Sequence, residues 1–504
     1  MELFKAGNRM FFVGIKGTGM SALAELLQGL QIAITGSDKA EVFYTDKLLK
    51  ALGIPYFESF AAEHIHPGFD LVVYSDAYSP ETNPELAKAL ELGIPIMKYT
   101  DALGAYSAGF DSSGITGVHG KTTVTALSGT LLRGAELPAQ VLVGSAVTGF
   151  GGGSILNMGN RFFVAETDEY RRHFLAFHPK RIVLTSVESD HQDYYPTYQS
   201  IQTAFLEYIN KLPPGGELIY CADDPGALET ALWGAANAQK QGRDIRLIPY
   251  GFQAEGKFRI LSWDIIGERQ VFTFQGFPYR EFQLRIPGRH SVLNAGAALA
   301  LTDSLLRTAL EIPGSEIGWK SETITAVQSA LLDFQGSKRR SEIVGEAGGI
   351  LFMDDYGHHP TAIRTTLAGL RSFYPNRRIV LSFMSHTYSR TAALLDDFAN
   401  SLLEADILFL HKIYGSAREE NPGEVTGETL YRKAKEMHNQ VYYQEEFEDS
   451  LPLLKAILRS GDLFITMGAG DNWKLGAALF REYANSMGQK SEFTEETPGC
   501  LSNA

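Results

Sequence analysis

Three α/β units in series are predicted by three observations. Short apolar runs that end in glycine or polar clusters alternate with helical stretches along nearly the whole chain. One such junction, Thr116-Gly117-Val118-His119-Gly120-Lys121-Thr122-Thr123, has the composition of a phosphate-binding loop. At 504 residues the chain is too long for one core, and about 150 residues per domain gives about three.

The first unit opens with the apolar run 9–14, which breaks into Gly14-Ile15-Lys16-Gly17-Thr18-Gly19-Met20-Ser21 before the helical run 22–30. Strand, glycine loop and helix form a Rossmann-like unit. The glycines at 14, 17 and 19 miss the G-x-G-x-x-G spacing of a dehydrogenase, which weakens a nicotinamide reading but keeps a pyrophosphate on a helix N-terminus. A strand at 31–35 leads to Ser37 and Asp38, where a carboxylate meets a ribose or base, or merely caps a turn. Strands at 70–75 and 95–99 flank a helix at 84–92, and the unit ends near residue 108.

The second unit, 109–325, starts at the phosphate loop. Its glycines let several N–H groups converge on one anion, and the following helix, running through 124–132, adds the positive end of its dipole. Lys121 brings a full charge to the terminal phosphates, and the Thr122 hydroxyl can hold Mg2+. The pattern is T-G-x-x-G-K-T-T, since Ile115 stands where the common phosphate loop has its first glycine. A plain glycine turn capping a helix is the competing account. The strand 161–165 delivers Glu166-Thr167-Asp168-Glu169, and the strand 181–186 delivers Glu188-Ser189-Asp190-His191. Carboxylates and a histidine at neighbouring strand ends suit the metals that shield transferring phosphate, although an isolated histidine is more often structural or acid-base. A helix at 198–208 and a strand at 217–221 follow. From about residue 246 the alternating segments 258–263, 270–274 and 281–286 read as antiparallel strands. Pro287-Gly288-Arg289-His290-Ser291-Val292-Leu293-Asn294 then opens the helix 295–306, where polar side chains read a base or cap the helix.

A hinge is expected at 323–332, ahead of a third unit spanning 326–490 and a polar, mobile tail at 491–504. Lys338-Arg339-Arg340 is a solvated turn or a phosphate contact. Four strands, 350–353, 378–383, 407–411 and 462–467, each end in a polar cluster. The clusters are Asp354-Asp355-Tyr356-Gly357-His358-His359-Pro360, Ser385-His386-Thr387-Tyr388-Ser389-Arg390, Tyr414-Gly415-Ser416-Ala417-Arg418-Glu419 and Gly468-Ala469-Gly470-Asp471. Strand ends of this kind describe another Rossmann-like layer facing a site.

Bulk numbers narrow the partners. A formal charge of −14 argues against nucleic acid or an anionic membrane bound through the general field, so phosphates must be handled by local loops and a few placed cations. Only Cys221 and Cys500 are present, which excludes a disulfide framework and fits a reducing compartment. The opening residues lack an apolar core of signal-peptide length, and no uncharged apolar run approaches the roughly 20 residues of a membrane span. A cytoplasmic monomer or weak homodimer is expected.

Taken together, these motifs resemble the Mur ligases of peptidoglycan synthesis, in the family's order from Gly14 to Asp471. Glu169-Tyr170-Arg171-Arg172-His173-Phe174-Leu175, Asp190-His191 and Gly288-Arg289-His290 with Asn294 add to the loops already named. The resemblance implies a UDP-sugar-binding first domain, a central P-loop ATPase-type domain and a third domain for the incoming amino acid. ATP would phosphorylate the lactyl carboxylate of UDP-N-acetylmuramate, and the amine of L-alanine would attack the acyl phosphate. A carboxylate is a poor electrophile until its oxygen leaves as phosphate, and moving that group needs charge cancellation and alignment.

The same resemblance assigns residues. Gly117, His119, Gly120, Lys121, Thr122 and Thr123 would cradle ATP, with Lys121 clamping the β and γ phosphates. Thr122 and Glu166 would hold one Mg2+ and His191 would contact a second. His290 and Asn294 would meet the adenine side, Asp355 the ribose, and Arg340 the phosphates from the third domain. Gly17, Thr18, Gly19, Met20, Ser21, Ser37 and Asp38 would serve the UDP-sugar, and Tyr356, His358, His386 and Arg390 the alanine pocket. Ser291, Ser186, Met384-Ser385 and Thr387 depart from the family's usual residues, leaving Arg390 as the surer partner for the alanine carboxylate. Lys211, the first lysine after His191, lies beyond the metal loop, so no carbamoylated lysine is expected. A tripeptide-joining sister enzyme, a dehydrogenase and a non-catalytic nucleotide sensor are the competing functions.

Overall fold

The computed structural model describes residues 4–192, 194–311, 319–415 and 425–486. Three sheets follow one another along the chain. The first has five parallel strands, with Arg9–Val13 at its centre between Ala33–Ser37 and Leu71–Tyr74, and Tyr56–Phe57 and Ile96–Lys98 at its edges. The central strands are apolar on both faces because helices cover both, as parallel sheets require. The helix Thr18–Gly29 begins four residues earlier than the apolar run alone suggests, since the glycine loop already belongs to its first turn.

The second sheet has ten strands, and Asp111–Thr116, which feeds the phosphate loop, lies between Phe162–Glu166 and Arg181–Leu184. Glu217–Cys221 and Arg246–Gly251 extend it in parallel; Phe258–Ile265, Gln270–Phe274 and Glu281–Leu284 close it as the expected antiparallel ladder. Two short strands at the other edge, Ala139–Leu142 and Ile155–Asn157, were not foreseen in the sequence. The third sheet has six strands, five parallel and one antiparallel edge, Glu342–Ala347. Every strand expected for this unit is present.

One expectation is overturned. The proposed hinge at 323–332 is the helix Ser321–Leu332, because Ile324, Val327 and Leu331 stand three and four residues apart and are buried on one face. Ser416, Ala417, Arg418, Glu419 and the tail 491–504 lie outside the described residues.

A single apolar cluster runs from Phe12 and Leu27 of the first unit through Leu127 and Val183 to Leu331 and Phe334. The third sheet carries separate cores on its two faces, and Ile265 of the second unit packs against one of them. The third unit otherwise meets the second at placed contacts. Gly369 is one of these: a Cβ there would come within 2.6 Å of the Gly288 Cα at the head of the helix Arg289–Leu310. No described helix is long and apolar enough to cross a membrane.

Candidate active site

The C-terminal ends of the parallel strands of all three sheets open into one cleft of about 1320 Å3. A single small ligand typically fills about 300–1,000 Å3, so this space admits a nucleotide together with a second substrate. Its floor is the phosphate loop. Gly117 and Gly120 take φ of +133° and +81°, the second forming the left-handed cap of the helix Lys121–Gly134. A side chain at Gly120 would also meet Asn294 Oδ1 at 2.7 Å, so the loop and the nucleotide helix fix each other.

Lys121 sits at the centre of charge. Its Nζ donates to the Gly117 carbonyl at 2.7 Å and to both Glu169 oxygens, at 3.0 and 2.8 Å. Burial works against the Lys121 charge, but Glu169, Asp168 and Glu166 outweigh it and raise its pKa. Glu169 is fully buried; burial works against its charge too, yet Lys121 and His191 hold it down to about 2. Thr122 Oγ1 donates to Glu166 Oε1 at 2.8 Å, and the Gly144 amide to Oε2 at 2.7 Å. Burial pushes the Glu166 carboxyl up against the opposing pull of Lys121, Thr122, Gly144 and Arg340.

His191 takes a left-handed φ of +52°, and its Nε2 lies 3.5 Å from Glu169 Oε1 and 3.9 Å from Asp190 Oδ2. Among the site residues it is therefore joined to Thr122 and Glu166 through Glu169 and Lys121, not by direct contact. His290 lines the cleft, where burial and the neighbouring His119 lower its pKa to about 4.

The third unit contributes a cluster. Tyr356 and His358 rings meet edge to face at 5.0 Å, His358 and His386 at 5.4 Å, and Arg390 Nη1 lies 3.0 Å from His386 Nδ1. Arg390 is itself buried, and its Nη2 and Nε donate to Asp190 Oδ1 of the second unit at 2.6 and 3.2 Å. Burial would raise the Asp190 carboxyl, but Arg390 and nearby histidines hold it well below the usual range. Arg340 lies 5.1 Å from the Tyr356 ring centre. Both Asp355 oxygens accept from backbone amides, of Ser341 at 2.6 Å and Gly357 at 2.7 Å, which pins the link from the second unit to the third sheet.

Three family models match the chain in order. They are described as Mur ligase family, catalytic domain (residues 9–111), Mur ligase middle domain (115–302) and Mur ligase, glutamate ligase domain (339–470). The chain belongs to the Mur ligase family. It is 50% identical over 478 residues to the UDP-N-acetylmuramate--L-alanine ligase of Treponema pallidum, covering 95% of this chain and 97% of that protein. The enzyme of the same name from Borreliella afzelii is 40% identical over 476 residues, with coverage of 94% and 98%. Among solved structures, UDP-N-acetylmuramate-alanine ligase from Thermotoga maritima superposes with a TM-score of 0.73 at 25% identity, over 95% of this chain and 99% of that one.

Within this Mur ligase cleft the expected residues are mostly gathered. Gly17, Thr18, Gly19, Met20 and Asp38 line it from the first unit, His119 to Thr123, Glu166, His191, His290 and Asn294 from the second, and Arg340, Asp355, Tyr356, His358, His386 and Arg390 from the third. Ser21 and Ser37 are not among the lining residues. Ser21 is buried with its hydroxyl on the Thr18 carbonyl, and Ser37 donates to the buried Glu85 at 2.6 Å. Gly117 lies behind the loop, where a Cβ would strike Thr185.

The departures from family habit have structural roles. Ser186 Oγ accepts the His119 amide at 2.8 Å and so holds the phosphate loop. Ser291 spends its hydroxyl on the Pro287 carbonyl at 2.7 Å. Thr387 adopts a φ of +62° at the head of the helix Tyr388–Ala393. Carboxylates named in the sequence without a role of their own also matter: Glu169 holds Lys121 and His191, Asp190 holds Arg390, and Glu188 contacts His119 and His359. Their signal was the acidic density of 166–169 and 188–191, but no local rule assigns each carboxylate a partner.

Proposed function

We propose that this Mur ligase joins L-alanine to the lactyl carboxylate of UDP-N-acetylmuramate with ATP, giving ADP and phosphate. The observation that carries this reading is the placing of Lys121 on a phosphate loop in the same cleft as the Tyr356, His358, His386 and Arg390 cluster. A phosphorylated carboxylate formed over the loop is within the same enclosure as a guanidinium suited to an amino-acid carboxylate. The curated relatives' names support alanine as the acceptor.

Thr122 and Glu166 present hard oxygens side by side, the donor type Mg2+ takes, and would hold it against the phosphates to cancel their charge. Lys121 would move from Glu169 toward the transferring phosphoryl group, while Glu169 keeps His191 oriented. His119, Thr123, His290 and Asn294 would surround the nucleotide, and Gly17 to Met20 with Asp38 would receive the UDP-sugar. Arg390 would exchange Asp190 for the alanine carboxylate. Units at 1–108, 109–325 and 326–490 are our reading, supported by three family matches and three sheets in the same order, but the helix Ser321–Leu332 crosses the last boundary and packs in the cluster of the second unit. A cytoplasmic monomer or weak homodimer without nucleic-acid or membrane partners remains our reading of the charge and composition.

In this mechanism a carboxylate oxygen attacks the γ-phosphorus and later departs with the phosphate when the amine displaces it. UDP-N-acetylmuramate labelled with 18O in the lactyl carboxylate should therefore place label in the released phosphate. Ligation with unlabelled phosphate would exclude the acyl-phosphate route.

A further inference from the structure

We propose that His119, Glu188 and His359 form a site for a divalent transition ion of the zinc class, which clamps the third unit onto the phosphate loop. Each residue offers one ligand atom, and these atoms all lie within 4.8 Å of one another. At metal–ligand distances of about 2.0–2.2 Å tetrahedral ligand atoms stand about 3.3–3.6 Å apart, so side-chain adjustments of about an ångström, opening the His119–Glu188 pair and drawing His359 in, close the set.

The three come from different places. His119 belongs to the phosphate loop, Glu188 to the segment after the strand Arg181–Leu184, and His359 caps the helix Pro360–Phe373 of the third unit. Each is held from behind. Thr361 Oγ1 donates to Glu188 Oε2 at 3.1 Å, leaving Oε1 toward the two rings. The His119 backbone is fixed on both sides, its amide by Ser186 Oγ at 2.8 Å and its carbonyl by Thr185 Oγ1. Such outer contacts orient ligands in metal sites.

The groups facing inward are paired chiefly with one another, and His359 Nδ1 also accepts the Thr361 amide at 3.3 Å. His119 Nε2 and Glu188 Oε1 stand in ion-pair contact, and His359 Nδ1 lies 3.8 Å from the same Oε1. Both His119 Nε2 and Glu188 Oε1 are buried atoms with no hydrogen-bond partner beyond this mutual contact among the described residues. Two imidazoles and one carboxylate favour a borderline transition ion over Mg2+, and three protein ligands leave a further position for water or an anionic oxygen. None of the three is among the Thr122, Glu166 and His191 set expected for magnesium. An ion here would tie two units that must part for exchange of substrates and products, so it acts as a brake on turnover.

The test requires neither substrate nor nucleotide, so it is independent of the acceptor identity. Chelator-treated full-length chain is titrated with Co2+ in the presence of excess Mg2+, and the visible absorption is followed. The expected result is one equivalent bound with the intense bands of four- or five-coordinate Co2+, displaced by Zn2+. Glu188→Gln and His359→Asn should each weaken binding at least about 10-fold, while Glu166→Gln leaves it unchanged. His359→Asn retains a helix-capping acceptor, which protects the fold. Only the weak bands of octahedral Co2+ in the wild-type chain would overturn the proposal. So would binding that survives both ligand substitutions or is lost with Glu166→Gln.

Discussion

Lys121 and Arg390 illustrate how one cation can be central yet provisionally occupied by a protein carboxylate. Lys121, half-buried, is held by the buried Glu169, and the buried Arg390 by the buried Asp190, and each cation must turn to a substrate anion during reaction. Lys121→Ala should lower kcat by at least about 10²–10³-fold, the loss that follows removal of one transition-state donor, with an unchanged far-ultraviolet circular dichroism spectrum. Near-normal turnover would remove Lys121 from the mechanism. Arg390→Ala should raise the KM for alanine far more than that for ATP, and it also strands Asp190, at a cost of about 3–5 kcal/mol in stability. Adding Asp190→Asn should restore the melting temperature without restoring alanine affinity. Recovery of both would mean that Arg390 serves the fold alone.

Elements whose signals are local were legible, and those defined by distant pairing were not. The phosphate loop, the central parallel strands and the antiparallel ladder were read because composition and period are carried within a few residues. The edge strands Ile155–Asn157 and Glu342–Ala347, and Ala139–Leu142 next to the first of them, gain their identity from partners elsewhere, and Glu342–Ala347 alternates too weakly to announce itself. The helix Ser321–Leu332 was mistaken for a hinge although its apolar stripe was present. Leu331→Ala there should cost about 2–5 kcal/mol in chemical denaturation, whereas a hinge residue would tolerate the change within error. Site residues divide the same way: Lys121 and Thr122 were fixed by motif, but Asp190 and Arg390 are 200 positions apart and only the fold joins them.

The strand Ile407–Leu410 leads into His411, whose ring is buried between Ser382 and the Gln444 carbonyl. Burial holds its pKa down to about 4. An unfolded imidazole takes up a proton near pH 6.5, so the folded third sheet should be most stable above that value. It should lose about 3 kcal/mol as pH falls toward 4. His411→Gln should flatten this part of the profile in denaturant titrations at pH 7 and 4.5; an equal slope in the variant would exclude His411 as the group responsible.

At the scale of the whole molecule, the first two units share one apolar cluster, beside a second core on the other face of the first sheet, while the third sheet has cores of its own on both faces. Its polar ties to the second unit include Arg390 with Asp190 and Thr361 with Glu188. This division suits a machine in which the third unit closes over ATP and sugar already seated on the other two. The account as a whole makes turnover conditional on all three units being filled. The most direct measurement is phosphate release from ATP and Mg2+, with UDP-N-acetylmuramate and with L-alanine, glycine, L-serine or a cell-wall tripeptide added singly. Release that requires both the sugar nucleotide and L-alanine is the predicted result; release with the tripeptide but not with alanine, or with no dependence on the sugar nucleotide, would contradict it.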